Sequence, residues 1–329
     1  MSAPYQNLPD LATIQRRAQS NAFALEEVAW GRGVDRERMW FPEGFTPLAQ
    51  CAVYQELRSE ERLTYNQLYA QATNEQFILL EEGFLIRFAA RMLETGRLPA
   101  ELQAALTGFV EEEVKHTEMF RQLNRLADPE RYARGDFSFV RVGPLEEWGL
   151  SLMSRHPELF AFWCWGALIF EEKTVDYYRQ YLRHAREQAD APLDPLHEEV
   201  HRLHALDEVR HVQIDMHLIQ QVYDPRGSWV RGLNSRVIRR LLGAYTRPRR
   251  AGQRLVEELC RLHPRLAGLL PAMREQLLGL GREWQALTYS RKNAPQTFAM
   301  FDAYPELHSL SEVLLCYEPA RASELLPAA

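Results

Sequence analysis

The sequence predicts an all-α protein organised around a four-helix bundle, with additional N-terminal and C-terminal helices. Residues 60–222 divide into four long segments in which apolar residues recur at three- and four-residue spacing, the period of amphipathic helices. Short or moderate connections containing proline or glycine separate the segments, as in bundles of neighbouring helices. No alternating β-strand pattern competes with this periodicity.

Each predicted bundle helix is bounded by residues that interrupt helices. Gly96 and Pro99 separate the first helix from the second, and Asp128-Pro129 ends the second. The third helix is interrupted around His156-Pro157. The predicted bounds are about 60–95, about 99–127, 144 to about 189, and about 195–222, with a loop at 129–143 and a turn at 190–195.

The flanking regions are also predicted to be helical. A helix is expected near 10–27, followed by a loop, and residues 226–329 are expected to form further helices. We interpret this C-terminal extension as packed on the bundle, so that residues 1–329 form a single domain. Its predicted breaks are Pro248, Pro264, Pro271, Pro295 and Pro305.

Composition and charge exclude several classes of protein. A chain with 46% hydrophobic and 26% charged residues is ordinary for a globular protein, and a net charge of −6 does not indicate nucleic-acid binding. The four cysteines form no Cys-x-x-Cys pair, which argues for a reducing compartment and against a thiolate zinc site. The N-terminus lacks the pattern of a signal peptide, and the longest apolar run, 159–170, is too short to span a bilayer. We therefore expect a cytoplasmic protein that binds no membrane.

The fourth predicted helix carries the motif His204-x3-Glu208-x2-His211. Residues at i, i+4 and i+7 lie on one face of a helix, so two imidazoles and a carboxylate point the same way, and Asp215 continues the stripe. The second helix carries a related motif, Glu113-x-x-His116. The other histidines of the fourth helix are expected to be ordinary helix residues with hydrogen-bond partners; these are His197, His201 and His217.

The remaining two bundle helices each carry a pair of adjacent glutamates in apolar surroundings. Glu81-Glu82 lies within FILLEEGFL, and Glu171-Glu172 follows LFAFWCWGALIF. Such carboxylates are costly to bury unless they are paired or bound to a cation. Glu171 is the better candidate because its helical neighbours are apolar or small, and Glu81 is slightly preferred for its phenylalanine-rich stripe. Glu82 and Glu172 stay open as alternates.

Together these residues predict a site for two metal ions. In ferritin-like carboxylate proteins, two helices each supply a Glu and two each supply a Glu-x-x-His motif, and such oxygen and nitrogen ligands suit iron or manganese. His204 adds a third imidazole on the stripe of Glu208. Asp207 and Glu112 can each accept a hydrogen bond from an imidazole on the opposing helix, and Arg210 can neutralise Asp207. A solvated face explains these three residues equally well.

The pattern E…ExxH…E…HxxxExxH resembles that of the p-aminobenzoate N-oxygenase (AurF-type) di-iron family, over about 60–222. The resemblance implies a ferritin-like fold and two iron ions that cycle between Fe2+ and Fe3+, with manganese as a substitute. His204 is the ligand that would set this family apart from other ferritin-like enzymes. The implied ligands are Glu81, Glu113, His116, Glu171, His204, Glu208 and His211.

The resemblance also implies an activity. Dioxygen and electrons from an external donor would oxidise the nitrogen of a small-molecule amine to a hydroxylamine, and onward to nitroso or nitro, in natural-product biosynthesis. A homodimer is also expected. Five aromatic residues are candidates for a pocket that holds a flat substrate, although ordinary core is the favoured interpretation: Phe77, Phe84, Phe120, Trp163 and Trp165.

Two other functions stay open, along with one further partner. Hydroxylation, desaturation or oxidative cleavage at C–H bonds of an aliphatic or amino-acid-derived substrate would use the same site. A non-catalytic iron-binding bundle is disfavoured by the C-terminal extension and the third histidine. A basic stretch suggests docking of an acidic carrier protein, although a solvated basic face is the commoner explanation. Its residues are Arg226, Arg231, Arg236, Arg239, Arg240, Arg247, Arg249, Arg250 and Arg254.

Overall fold

The computed structural model describes residues 5–247 and 250–320, so Pro248, Arg249 and the side chain of Arg250 lie outside the described residues. Every regular element within these ranges is helical, which confirms the all-α prediction. None of the described helices is both long and apolar enough to cross a membrane. The α-helices are α1 (Leu11–Asn21), α2 (Ser59–Leu80), α3 (Arg87–Glu94), α4 (Ala100–Ala127), α5 (Pro144–Ser154), α6 (Phe162–Glu187), α7 (Pro195–Leu218), α8 (Ser228–Tyr245), α9 (Arg250–Leu262), α10 (Leu270–Gly279), α11 (Arg282–Thr288) and α12 (Pro295–Ala303).

Four long helical stretches form the bundle, as predicted. The first is composite, because α2 continues through a π-helical turn, Glu81–Ile86, into α3. The others are α4, α6 and α7; α6 packs along α7, and α4 contacts both α2 and α7. Local signals set their ends: Asp194 caps α7 by accepting a hydrogen bond from the backbone N–H of His197, and Gly96, with a φ of 63°, follows the end of α3.

A polar layer divides the core of the bundle. The buried apolar side chains form two clusters, and each bundle helix passes from one cluster to the other. The change of cluster falls between Phe77 and Phe84, between Phe109 and Met119, between Phe170 and Tyr177, and between Leu203 and Val212. Each of these intervals contains buried acids or histidines named above as candidate metal ligands. The candidate ligands therefore lie at one level of the bundle.

The predicted third helix is divided into two. α5 ends at Ser154 and α6 begins at Phe162, so the interruption expected around His156-Pro157 is confirmed. α5 packs against α3, where Glu147 pairs with Arg87 at 2.7 Å. The N-terminal helix predicted near 10–27 is shorter than expected, because α1 ends at Asn21 and is followed by short turns of 3-10 helix.

The C-terminal extension is helical and contacts the bundle. Glu172 of α6 accepts hydrogen bonds from the backbone N–H groups of Gln296 (2.9 Å) and Thr297 (2.7 Å) in the first turn of α12. Helical segments begin at three of the predicted breaks, and Pro271 lies in the first turn of α10. The three are Pro264, Pro295 and Pro305. The single-domain interpretation and the break at Pro248 stay predictions.

The loop predicted between α4 and α5 is confirmed, and one buried carboxylate holds it against α2. Glu75 accepts hydrogen bonds from the Tyr132 hydroxyl (2.7 Å) and from the backbone N–H groups of residues 138–140 (2.8 Å each). Because buried backbone donors need partners, this single side chain fixes the path of the loop beside the bundle. The same loop segment lines a cavity described below.

Candidate metal centre

Buried acids and histidines of the polar layer form two clusters with the composition of metal sites. The first cluster is Glu81, His116, His204 and Glu208, and the second is Glu113, His116, Glu208 and His211. Within each cluster, one ligand-type atom of every residue lies within 4.8 Å of the others. All of these residues are buried, and His116 and Glu208 belong to both clusters. The two clusters therefore adjoin.

The Glu208 carboxylate stands between the two clusters. Its Oε1 atom lies 2.6 Å from His204 Nε2 and 3.2 Å from His116 Nδ1, whereas its Oε2 atom lies 3.0 Å from His211 Nδ1. In the second cluster, His211 Nδ1 also lies 2.8 Å from Glu113 Oε1. Because its two oxygens face different imidazoles, Glu208 has the geometry of a carboxylate that can serve two cations at once.

Two carboxylates outside the clusters orient the imidazoles of His116 and His211. Asp207 accepts a hydrogen bond from His116 Nε2 (3.0 Å), and Glu112 accepts one from His211 Nε2 (2.9 Å). Each acid lies on the helix opposite the histidine it binds, as the sequence suggested. With the proton on Nε2, the Nδ1 lone pair of each ring points into the clusters, as metal binding by histidine requires.

Two cations balance these outer acids. Arg210 donates to Asp207 (2.5 Å) and to Glu112 (2.7 Å), and Lys115 donates to Asp207 (2.8 Å). Arg210 thereby links both acids, beyond the single pairing expected from the sequence. Asp207 is fully buried, so it does not lie on a solvent-exposed face of α7.

His204 is held in a different way from the other two imidazoles. Its Nε2 atom faces Glu208 and lies 3.1 Å from Glu81 Oε1, while its ring packs edge-on against Phe77 and Phe120. Its Nδ1 atom has no hydrogen-bond partner among the described residues. Unlike His116 and His211, His204 therefore has no carboxylate on its second ring nitrogen within the described part of the chain, and apolar rings flank the imidazole.

The two members of each adjacent glutamate pair have different surroundings. Glu81 and Glu171 are buried in the polar layer. Glu82 is exposed and pairs with Arg121, while Glu172 caps the start of α12. Glu171 lies beside Glu208, close enough for a hydrogen bond between the two carboxyl groups, although it belongs to neither four-residue cluster.

Burial and neighbouring charges move the pKa values of the acids in this layer apart. Burial raises the pKa of Glu81 to about 7. Burial and then the neighbouring carboxylates of Glu208 and Glu113 raise the pKa of Glu171 well above its usual range. Burial alone would raise the pKa of Glu208, but the imidazoles of His211 and His204 hold it well below that range. Buried carboxylates and imidazoles that shift one another's pKa values in this way are typical of functional sites.

Burial acts on the pKa of an imidazole in the opposite direction from that of a carboxyl group. Burial opposes charge on His116 and His211, but adjacent carboxylates raise the pKa of both rings well above the ordinary value. Without a metal ion, protons are the available positive charge between these acids. A metal ion would replace those protons on binding.

The residues present fit a pair of metal ions. Several buried oxygen and nitrogen atoms of this region accept or donate no hydrogen bond among the described residues, although some lie close to an imidazole, and leaving such groups unsatisfied is costly. Their chemistry, carboxylate oxygen with imidazole nitrogen and no thiolate, suits iron or manganese. These atoms include both oxygens of Glu81 and of Glu113, together with Glu171 Oε1, Glu208 Oε1 and His116 Nδ1, and both oxygens of Asp215 one turn further along α7.

A large cavity borders the ligand-bearing helices. Its volume is about 690 Å³, and it lies between the π-helical turn, α6, the loop before α5, and helices of the C-terminal extension. Gly83 and Phe84 of the π-helical turn line it, as does Phe170, the neighbour of Glu171. Gly166 allows the close approach of Phe84, because a Cβ atom there would lie 2.7 Å from the Phe84 ring. Its size and its largely apolar lining are typical of small-molecule sites.

Most of the cavity's polar groups were not identified from the sequence. Lys173 lines the cavity, and so do four tyrosines from four separate parts of the chain: Tyr69, Tyr177, Tyr245 and Tyr289. Of the five aromatic residues proposed for a pocket, Phe84 lines it, whereas Phe77 and Phe120 pack on His204 and the two tryptophans lie in the core. The tyrosines are far apart in sequence, so no local spacing could have grouped them.

The other histidines of α7 differ from expectation in one case. His197 bonds to Asp194, and His217 bonds to the backbone carbonyl of Pro9, as expected of ordinary helix histidines. His201 is fully buried, but neither ring nitrogen has a hydrogen-bond partner among the described residues. Its ring lies among those of Tyr181, Phe77 and Phe120, so the expectation was wrong for this residue.

Comparison with known proteins agrees with this site. No curated protein matches the chain. The profile of the p-aminobenzoate N-oxygenase AurF family, in contrast, matches residues 10–252, which contain the whole polar layer and the cavity walls up to α9. Together with the buried carboxylate and histidine clusters, this match identifies the chain as an oxygenase that belongs to the AurF p-aminobenzoate N-oxygenase family.

Proposed function

We propose that this protein is a non-haem di-iron oxygenase that uses dioxygen and external electrons to oxygenate the nitrogen of an amine. The observation that carries the proposal is the place of His204, whose Nε2 atom faces Glu81 and Glu208 within the first cluster. A third imidazole in this position distinguishes the site from a plain ferritin-like centre, which needs two. Membership of the N-oxygenase family supports the same conclusion.

The ligand assignment is part of the proposal. Seven residues would hold the two ions: Glu81, Glu113, His116, Glu171, His204, Glu208 and His211. Glu208, which faces both clusters, would be shared between the ions. When bound, a pair of reduced iron ions supplies the electrons and the open coordination that dioxygen chemistry requires.

Other side chains would orient the histidine ligands, balance the charge and limit the access of water to the site. Asp207 and Glu112 hold protons on the Nε2 atoms of His116 and His211, and Arg210 offsets the charge of both acids. The apolar clusters on either side of the polar layer limit the access of water. The adjacent cavity, whose walls include Phe84 and Phe170, would hold a flat amine beside the ligand-bearing helices.

The proposal is tested by loading the reduced protein with iron and supplying dioxygen with a panel of aryl and alkyl amines. We expect about two irons per chain and products that gain oxygen on nitrogen, identified by mass and by reaction with hydroxylamine reagents. Oxygen found on carbon would favour C–H hydroxylation instead. Consumption of dioxygen by iron without any product would indicate an iron-binding bundle and contradict the proposal.

We further propose that an acidic carrier protein can present the substrate. Among the described arginines of the basic stretch, Arg240, Arg247 and Arg254 line the cavity, and their positive charge would attract an acidic partner to it. Arg239 is instead occupied, because it pairs with Glu312 at 2.6 Å. A cytoplasmic location, a homodimer and a role in natural-product biosynthesis remain predictions.

Arg239 and Arg240 provide a matched pair for testing the carrier. Arg240→Glu is expected to lower turnover of a carrier-tethered amine at least about tenfold through weaker binding, while turnover of the free amine changes much less. Arg239→Glu should leave both nearly unchanged, because its side chain faces Glu312 and not the cavity. Equal turnover of the tethered amine by both variants would remove the carrier from the proposal.

A further inference from the structure

Lys173 is a buried cation that reaches the cavity. Its side chain is 4% exposed, and the residue lines the cavity on α6, two positions after Glu171. An ammonium group is expensive to remove from water, so a buried lysine needs compensating partners. Asp176 supplies one, with its Oδ2 atom 3.2 Å from Lys173 Nζ.

The carboxylate of Asp176 is shared with other donors. It also accepts hydrogen bonds from the side-chain amides of Gln180 (3.1 Å) and Asn293 (2.8 Å). Asp176 therefore accepts hydrogen bonds from three donors, which lie on α6 and in the segment before α12.

Aromatic rings surround the rest of the ammonium group. Lys173 Nζ lies 4.5 Å from the ring centroid of Phe45, 4.6 Å from that of Tyr177 and 5.3 Å from that of Tyr289. Ring faces attract a cation but do not take its hydrogen bonds as an oxygen does. An ammonium has three N–H donors, and one is directed at Asp176, so donor capacity remains toward the cavity.

The other residues that line the cavity indicate what kind of group the remaining N–H donors of Lys173 would bind. Cationic side chains outnumber acidic ones among the lining residues, and the acid Glu147 is already paired with Arg87. Hydroxyl-bearing rings, including Tyr69 and Tyr245, stand on the same walls. A cavity with apolar sides, a buried ammonium and phenol groups suits a planar molecule that ends in a carboxylate.

We propose that Lys173 binds a carboxylate group of the substrate inside this cavity and is a specificity-determining residue of the enzyme. The inference rests on the proposed function for the identity of the substrate as an amine, but the binding step itself requires no turnover. Lys173 would orient the molecule by its anionic end, and a neutral analogue of the same shape would lose that contact.

The test compares two probes of nearly equal shape, benzoate and benzamide, by calorimetric titration of the iron-loaded protein. Wild type is expected to bind benzoate at least about tenfold more tightly, which is about 1.4 kcal/mol. Lys173→Met should reduce this preference to less than about twofold, and Lys173→Gln provides the same test if the methionine variant folds poorly. Lys173→Arg, which keeps the charge, should retain part of the preference.

Asp176→Asn separates recognition from structure. It breaks the same buried ion pair, so its melting temperature should fall much as that of Lys173→Met does. It leaves the ammonium in place, however, and should keep or strengthen the preference for benzoate. A wild type without preference, or a preference that survives in Lys173→Met, overturns the role of Lys173. Neither outcome bears on N-oxygenation, which the amine panel decides independently by product mass.

Discussion

Replacing Glu208 by alanine is expected to abolish binding of both metal ions. The two oxygens of this carboxylate face different imidazoles, so its removal takes a ligand from both clusters at once. Iron content should fall from about two per chain to well below one, and product formation should fall by more than about 100-fold. Metal analysis of the purified protein and product quantification by mass spectrometry measure these two changes.

Thermal stability provides a second measurement that does not depend on activity. A metal that binds only the folded state stabilises it by about 4 kcal/mol at a free concentration about a thousand times its dissociation constant. Added iron should therefore raise the melting temperature of the wild type and leave that of Glu208→Ala almost unchanged. The wild-type rise follows because a cation relieves repulsion among the buried carboxylates of Glu81, Glu171 and Glu208.

The first bundle helix offers the matched control for loss of a carboxylate. Glu81→Ala should lower iron content, since this side chain lies in the first cluster. Glu82→Ala removes the adjacent carboxylate, which is exposed and paired with Arg121, and should keep both iron content and activity. If Glu208→Ala retains two irons per chain, or if Glu82→Ala loses them, the assignment of the clusters is wrong.

Replacing His204 by alanine is expected to separate iron binding from oxygen chemistry. The second cluster does not include His204, so the variant should fold and keep at least about one iron per chain. The first cluster loses one of its two imidazoles, the ring that packs against Phe77 and Phe120. We expect formation of N-oxygenated product to fall by at least about 100-fold, while reduced protein still consumes dioxygen.

His201 is the control for this substitution, because it lies on the same helix and contacts the same two phenylalanine rings. No carboxylate pairs with it among the described residues, so His201→Ala should lose stability through the buried hole and yet keep iron and product formation once folded. Metal content, oxygen uptake and product mass are measured for both variants. Normal product formation by His204→Ala would withdraw the main support for the N-oxygenase proposal.

Local periodicity was sufficient for the bundle and for the candidate ligands on α4 and α7. The motif around Glu208 places its members on one face through helical geometry alone, and the structure brings that face to the motif at Glu113. The same spacing could not reveal the π-helical turn that carries Glu81, because such a turn is a local defect that depends on packing. It also could not show that Arg210 bridges two acids from different helices.

The amino-acid sequence is sufficient to predict the helices and the residue types that their faces present. Which member of each glutamate pair faces the polar layer depends on the tertiary structure. Adjacent side chains on a helix point about 100° apart, and contacts from distant segments determine which of the two is bound elsewhere. Glu82 pairs with Arg121 at the surface. Glu172 accepts a hydrogen bond from the start of α12, more than a hundred residues further along the chain. The cavity follows the same rule: Lys173 and its surrounding rings come from separated segments, and their common chemistry exists only after folding.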